Sequence, residues 1–380
     1  MAHTPTMMDY VAMANARMFG NLDRAEALTE PLVSAYLAHL SDAGDPVIRL
    51  VASGSSKNAC DMARPYVQRT LDTLVQVMTP EAFCAGDHAY PADAFNLFIS
   101  QSGYSTNVIR ALDVCTARGF SCTALTGNVT APIARHAVSV LDWGVGVESV
   151  DFVTMGVATL VEYLLLFAVH AAWSLGSIDE AAAEKAHGDI RAAIEAHGQM
   201  LDTARAYVGE HRLDLTRVAP CLFVGNGPAY GVAEEAALKF AETLKQATAF
   251  YEGEEFMHGP EMQVRPGYHV FVMDPEGSDR LATTARIMGG VTESAVLVTS
   301  KPTSTSYEVP LASLSDPLTA GIPLLAFFQT IAATLSQELD CWEVHPYLKG
   351  HEGEFDSKAP GYEDAVLGLE AQAATLYGTC

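Results

Sequence analysis

Short apolar runs alternate with longer amphipathic stretches along most of the sequence, and this alternation constrains the fold more than any other feature. Most residues of each run are apolar. Strands of this type are buried on both faces, as in a parallel sheet covered by helices on each side. In the first half we predict helices at 58–70 and 106–118, and strands at Val47–Ala52, Leu74–Met78, Phe95–Ile99, Ser121–Leu125 and Val138–Trp143.

The same pattern repeats after residue 214. A long helix is predicted from Tyr230, with strands at Cys221–Gly225, His269–Met273 and Ala295–Val298. The segment LVASGSSKNACDMA of the first half aligns with LFVGNGPAYGVAEEA of the second, which brings Gly54 onto Gly227. Internal similarity of this kind predicts two related α/β halves, each with a parallel sheet flanked by helices.

Changes in this pattern divide the sequence into five parts. We predict an N-terminal helical segment at 1–44, a first domain at 45–177, a helical connection at 178–214, a second domain at 215–345 and a C-terminal tail at 346–380. The apolar stretch Val153–Leu175 carries Glu162 near its centre, which favours a buried core helix over a membrane span. The first residues lack a basic segment followed by an apolar run, so no secretory signal is expected.

The charge balance limits the possible partners. Acidic residues outnumber basic ones 46 to 22, which gives a net charge of −24. Nonspecific binding to nucleic acid or to an anionic membrane needs a surplus of Lys and Arg, so neither is expected. The seven cysteines form no CxxC pair and are odd in number, which indicates a reducing cytoplasm without disulfides or a zinc site. Pro and Gly interrupt the tail residues His345, His351 and Glu352, so we expect no metal there, and no cofactor elsewhere.

Two serine-rich turns follow predicted strands of the first half. Ser53-Gly54-Ser55-Ser56 follows the first strand and Ser100-Gln101-Ser102-Gly103-Tyr104-Ser105 follows the third, and each precedes a helix. Helix N-termini offer free N–H groups and a partial positive charge, so such turns can hold a phosphate without a cation. The alternative is that these serines serve only as helix N-caps and turn formers. Neither turn has the GxSxG pattern of a serine nucleophile.

The second half carries the candidate reactive groups. Glu235, Lys239 and Glu242 lie at i, i+4 and i+7 of EEAALKFAETLKQ, on one helical face, and His258 follows in the turn GEEFMHGP. A carboxylate can move a proton between adjacent sugar carbons, a His can open the sugar ring, and a Lys can polarise a carbonyl or form a Schiff base. The alternative is an exposed salt-bridge stripe followed by a solvated acidic loop. No GxGxxG follows the first strand, which argues against a dinucleotide fold.

Four motifs resemble those of the double-SIS (sugar isomerase) proteins, namely SGSSKNA, SQSGYS, EEAALKFAE and GEEFMHGP. That family includes the isomerase half of glucosamine-6-phosphate synthase and the fructosamine-6-phosphate deglycases. The resemblance extends over residues 20–345. It implies two tandem SIS domains, each a doubly wound, flavodoxin-like parallel sheet flanked by helices.

The resemblance also implies roles for individual residues. Glu242 is the expected base that moves a proton between C1 and C2, with Glu235 and Lys239 in supporting positions. His258 is the expected ring-opening group and comes from the neighbouring subunit, so a homodimer with a shared active site is implied. The phosphosugar is the implied small-molecule partner, and its expected binding residues are Ser55, Ser56, Ser100, Gln101, Ser102 and Ser105.

The sequence departs from the synthase pattern at several points. Tyr104 stands where the synthase has Glu, and ESVDFVTM at 148–155 stands where the synthase has its STKA element. No N-terminal Cys nucleophile or glutamine-hydrolysing domain is found, so glutamine-dependent amination is not expected. The C-terminal stretch around His345-Pro346 is more similar to the deglycase tail, and we expect the tail to act as a lid or a dimer contact.

These features leave three functional hypotheses. The favoured one is a deglycase that cleaves a 6-phosphofructosyl amine to a sugar phosphate and an amine. The first alternative is an aldose–ketose isomerase, or a deaminase of an amino-sugar phosphate. The second is a non-catalytic phosphosugar sensor, against which stand the retained Glu242 and His258 and the lack of a basic DNA-binding segment.

Overall fold

Two five-stranded parallel sheets form the framework of the chain. The structure is a computed structural model and describes residues 5–43, 47–150, 152–217, 219–302, 307–341 and 345–377. The first unit comprises Met1–Gly188 together with Val344–Cys380, and the second comprises Asp189–Glu343. The predicted α/β class, with two parallel sheets flanked by helices, is confirmed.

The first unit begins with two helices that precede its sheet. Its strands are β1 (Ile48–Ala52), β2 (Val75–Met78), β3 (Phe95–Ile99), β4 (Cys122–Thr126) and β5 (Ser139–Asp142). They lie in the order β2-β1-β3-β4-β5, all parallel. This is the flavodoxin-like order. The helices are α1 (Met7–Leu22), α2 (Ala25–Ala43), α3 (Gly54–Leu71), α4 (Pro80–Ala85), α5 (Thr106–Ala117) and α6 (Met155–Ser174).

The second unit repeats this topology. Helix α7 (Glu180–Leu215) contains the boundary between the units, and the new sheet has the order β10-β9-β8-β6-β7, again all parallel. Its strands are β6 (Cys221–Gly225), β7 (Thr248–Tyr251), β8 (His269–Asp274), β9 (Ala295–Thr299) and β10 (Tyr307–Pro310). Its helices are α8 (Pro228–Leu244), α9 (Gly253–Phe256), α10 (Asp279–Gly289) and α11 (Gly321–Glu338), and α12 (Tyr362–Tyr377) follows in the first unit.

Some element boundaries differ from the prediction. Helix α3 begins at Gly54 rather than at Asn58, because Ser53 is extended and acts as N-cap while the following serines form the first helical turn. Strands β7 and β10 were not predicted. Both lie at a sheet edge and are partly exposed, so their residues lack the continuous apolar character that marks a central strand.

The most apolar helices form the centre of each unit. Helix α6 is buried along nearly its whole length, including Glu162. The stretches Met155–Ser174 and Pro317–Glu338 are long and apolar enough to cross a membrane by length and composition, but 100% and 89% of their apolar windows are buried inside the structure. Core helices show the same composition and burial, so these helices are weak evidence for a membrane span.

Candidate functional site

The two serine turns follow neighbouring strands at the centre of the first sheet. Strands β1 and β3 are adjacent and parallel, so α3 and the turn 100–105 leave the sheet at the same carboxyl edge. After β1 the chain continues to β2 on one side, and after β3 it continues to β4 on the other side, so the connections diverge between β1 and β3. Ligands of open α/β sheets bind at such a point. Asn107 lies in the first turn of α5, directly after the second serine turn. Its side-chain amide donates to the hydroxyl of Ser53 in the first serine turn at 2.9 Å, and so connects the two.

The serines that precede the two helices do not cap them with their side chains. Ser53 is the N-cap of α3 and Ser105 is the N-cap of α5, and neither hydroxyl accepts a hydrogen bond from its helix. The interpretation as simple N-cap serines therefore does not account for these two positions. Ser55 is buried and Ser56 half-buried in the first turn of α3.

Hydroxyl contacts fix the shape of the turn after β3. The Ser100 hydroxyl donates to Ser105 Oγ at 3.0 Å and accepts from the Gly103 N–H at 3.2 Å, while the Ser102 hydroxyl accepts from the Tyr104 N–H at 3.2 Å. Gly103 has a φ of +71°, and a Cβ there would lie 2.5 Å from the Ala131 side chain. This close approach requires glycine at the centre of the turn.

The side chain of Gln101 is held by a buried carboxylate that the sequence analysis did not select. The Gln101 amide donates to Glu148 Oε2 at 2.7 Å. The same carboxylate accepts the N–H groups of Thr154, Met155 and Gly156 at 2.8, 2.8 and 2.9 Å, and so caps the start of α6. Burial raises the pKa of Glu148, although these hydrogen bonds lower it.

Glu148 lies in the stretch that departs from the synthase pattern. In the sequence, Glu148 stands several residues before the strongly apolar stretch that forms α6, farther from that helix than a usual N-cap residue. Asp151 of the same stretch lies outside the described residues.

Part of the C-terminal tail lies along the turn after β3. Ser105 pairs with Lys358 as an antiparallel bridge, and the Ala359 N–H donates to the Tyr104 carbonyl at 2.8 Å. The rings of Tyr104 and Tyr362 lie 5.6 Å apart. The tail thus covers the edge of this turn within the first unit. The side chain of Glu352 lies outside the described part of the tail, and His351 Nδ1 lies 2.8 Å from Glu354 Oε1.

In the second unit, three charged side chains of α8 form one ionic cluster. Lys239 Nζ lies 3.2 Å from Glu235 Oε1 and 2.5 Å from Glu242 Oε1. The side chains of Glu235 and Lys239 are 0% and 1% exposed, whereas Glu242 is 28% exposed. The cluster is therefore a buried ion pair extended by a partly exposed carboxylate, and not the exposed salt-bridge stripe that the spacing also allowed.

The ammonium of Lys239 keeps its proton in this setting. Burial lowers the pKa of Lys239, but the charges of Glu235 and Glu242 outweigh burial and hold the pKa above its ordinary value. A protonated amine is not nucleophilic, so the cluster favours an electrostatic role for Lys239 over a Schiff base.

His258 lies apart from this cluster within the single chain. It follows α9, whose first turn is capped by the Glu252 side chain, and its ring is exposed. Among the described residues, no hydrogen bond or ion pair joins the His258 ring to Lys239 or Glu242. No group of three or more metal-ligating side chains occurs in the described ranges.

Comparison with known sequences points to one family. The sequence profile of the SIS domain matches residues 39–169 and 215–337, which is more than half of the chain. The glutamine–fructose-6-phosphate aminotransferase (isomerizing) of Zymomonas mobilis is 26% identical over 233 residues. That alignment covers 60% of this chain and 38% of the relative, so the chain spans less than half of the relative's length.

Solved structures share the fold over nearly the whole chain. A Clostridium difficile protein described as a phosphosugar isomerase superposes with a TM-score of 0.82 at 20% identity, covering 91% of this chain and 97% of that one. The tagatose-6-phosphate ketose/aldose isomerase of Escherichia coli superposes with a TM-score of 0.71 at 17% identity, covering 90% and 97%. At these identities the similarity establishes the fold alone.

Proposed function

The chain belongs to the SIS domain family, and on this premise we propose that it is an enzyme that moves a proton between C1 and C2 of a phosphorylated sugar. The ionic cluster on α8 carries the proposal, since Glu242 is its partly exposed member and is oriented by the buried Lys239. A carboxylate fixed in this way is suited to accept a proton and return it to the neighbouring carbon.

We favour cleavage of a 6-phosphofructosyl amine as the reaction. In this substrate C1 bears nitrogen and C2 is a carbonyl carbon. Glu242 removes a proton from C1 while the C2 oxygen gains one, which forms an enolamine with a C1–C2 double bond. Glu242 then returns its proton to C2, and the nitrogen lone pair forms an iminium bond to C1. Water adds at C1, and one of its protons is transferred to the nitrogen. The amine then leaves as the remaining hydroxyl loses its proton and the carbonyl forms, and an aldose 6-phosphate remains.

The other residues are assigned supporting roles in this reaction. The hydroxyls of Ser100, Ser102 and Ser105, next to the start of α5, are proposed to hold the phosphate. Lys239 acts as a fixed positive charge next to the base, and Glu235 holds it in place. Ring opening is assigned to His258 of a second copy of the chain, so the proposed active form is a homodimer.

An aldose–ketose isomerase is the second candidate. The Zymomonas mobilis relative is named an isomerizing enzyme, and the motif EEAALKFAE is more similar to that group than to the deglycases. The same base would then move the proton through an enediol, and no amine would leave. A deaminase of an amino-sugar phosphate uses the same proton transfer.

Two incubations of the purified chain separate these candidates. A 6-phosphofructosyl amino acid should be converted to glucose 6-phosphate by a deglycase, whereas fructose 6-phosphate with ammonia should be turned over by an isomerase or deaminase. Turnover of neither substrate would contradict both proposals.

Glu242→Gln tests the assigned base. It should lower turnover by about 10²–10⁴-fold while phosphosugar binding is kept. The matched control is Glu210→Gln, at an exposed position of α7 in the same unit. Unchanged turnover in the Glu242 variant would remove this residue from the mechanism. Binding without turnover in the unaltered chain would instead indicate a phosphosugar sensor.

A further inference from the structure

Two arginines of the first unit line one cavity and form no ion pair among the described residues. Arg17 lies on α1, and Arg24 lies in the turn between α1 and α2; both line the same cavity. Arg17 Nη2 donates to the Tyr377 hydroxyl at 3.4 Å, and Arg24 Nη2 donates to the Asn21 side-chain oxygen at 3.1 Å. The arginine ion pairs of the described ranges all involve other arginines.

Small residues form part of the lining of the cavity that contains the two arginines. The Arg17–Arg24 cavity has a volume of about 350 Å³, and its lining includes Ala16 and Gly20. A Cβ placed on Gly20 would meet no atom within 4 Å. Cavities of this size hold small metabolites, and their few polar groups set the orientation of the ligand.

The loop between β5 and α6 packs its backbone directly against the two arginines. A Cβ on Gly146 would lie 2.5 Å from Arg17 Nη2, and a Cβ on Gly144 would lie 3.1 Å from Arg24 Nη2. Both glycines have positive φ, at +76° and +83°. This contact restricts the rotamers of the two side chains before any ligand arrives, which lowers the entropic cost of binding.

Few negative charges oppose an anion in this cavity. Glu162 interacts with Arg24 and accepts from the Asn21 side-chain amide at 3.2 Å, but burial raises the pKa of Glu162 well above its ordinary value. No Asp or Glu is among the described residues that line the cavity, so its lining presents two guanidinium groups and no carboxylate. The chain as a whole carries −24 and repels anions, so two arginines on one cavity that form no ion pair among the described residues are a local exception.

We propose that the Arg17–Arg24 cavity binds a phosphate monoester, at a site separate from the serine turns. Phosphate oxygens accept paired, charge-assisted hydrogen bonds from guanidinium groups, and two such groups match a dianion. The cavity is larger than a phosphate ion, which leaves room for the organic part of an ester. This inference stands independently of the proposed reaction.

Equilibrium dialysis of the full chain tests the site, with inorganic phosphate and glycerol 2-phosphate as separate probes. We expect Arg17→Gln/Arg24→Gln to weaken binding at one site by at least about tenfold, as each charged hydrogen bond contributes enough for that loss. The matched control, Arg118→Gln/Arg135→Gln, removes the same charge from exposed positions of the same unit and should retain binding. Equal weakening by both double variants, or by neither, would overturn the proposal.

Two further variants keep the result interpretable. Gly20→Leu fills the cavity without removing a charge. Gly20 lies within α1 and does not have a positive φ, so leucine can adopt its backbone conformation, and the variant should weaken binding as much as the arginine variant does. Ser102→Ala/Ser105→Ala alters the serine turns and should leave the Arg17–Arg24 cavity able to bind the ester. If the serine variant abolished all ester binding, the serine turns would be the sole site and the second site would be refuted. Binding of inorganic phosphate without the ester would likewise refute the monoester assignment.

Discussion

The side-chain amide of Gln101 donates a 2.7 Å hydrogen bond to the carboxylate of Glu148, which also caps the start of α6. One buried carboxylate therefore connects the turn after β3 to the most buried helix of the first unit. Because the Gln101 position depends on this contact, the shape of the proposed phosphate-binding turn is set in part by a residue 47 positions away.

Glu148→Ala is predicted to destabilise the first unit by about 3 kcal/mol, because several buried donors lose their acceptor at once. The measurement is urea unfolding followed by circular dichroism. Glu184→Ala, at an exposed position of α7 in the same unit, should change the free energy of unfolding by less than about 0.5 kcal/mol. Equal effects of the two substitutions would show that Glu148 is not a structural cap.

Gly156→Ala is predicted to displace the Gln101 side chain. A Cβ on Gly156 would lie 1.7 Å from Gln101 Oε1, so one of the two must move, at a cost of about 1–3 kcal/mol. Weaker phosphosugar binding should accompany the loss of stability, and both are measured on the same preparation. Gly188→Ala in α7 meets no atom within 4 Å and should stabilise the chain by about 0.5–1 kcal/mol. A Gly156 variant with unchanged stability and binding would contradict the close contact.

Lys239→Met is predicted to destabilise the second unit by about 3–5 kcal/mol, because it breaks the ion pair between Lys239 and the fully buried carboxylate of Glu235. Urea unfolding measures the effect. The double variant Glu235→Met/Lys239→Met removes both charges and should recover a substantial part of that loss. A double variant no more stable than the single one would indicate that lost packing, rather than the broken ion pair, causes the destabilisation.

Glu162→Gln is predicted to change how stability depends on pH. Burial raises the pKa of Glu162 well above its ordinary value of 4.5. Above pH 4.5 the unfolded chain loses this proton while the folded chain keeps it, so stability falls as pH rises towards the folded-state pKa. The slope from one such proton is about 1.4 kcal/mol per pH unit.

The amide introduced by Glu162→Gln does not titrate, and its carbonyl can still accept from Asn21, so the difference in unfolding free energy between the two proteins isolates this slope. The comparison is made by urea unfolding at a series of pH values from mildly acidic to mildly alkaline. Parallel pH profiles would show that Glu162 is ionised in the folded chain or titrates normally.

Much of the fold could be predicted from the sequence, because strands that are buried on both faces stand out as short, mostly apolar runs. Strands β1 and β3 are fully buried and apolar except for Arg49 and Asn96, and both were predicted within one residue of their ends. The partly exposed edge strands β7 and β10 carry a mixed pattern and were missed. The start of α3 was misplaced because serines suit both a turn and a first helical turn.

The residue types of the candidate site and their order along the chain can be read from the sequence. Spacing placed Glu235, Lys239 and Glu242 on one helical face, but the same spacing serves an exposed stripe. The burial of the Glu235–Lys239 pair is seen only in the folded chain, because burial depends on what α8 packs against. Folding also brings Glu148 to Gln101, and no periodicity in a sequence reports a contact made when distant segments pack together.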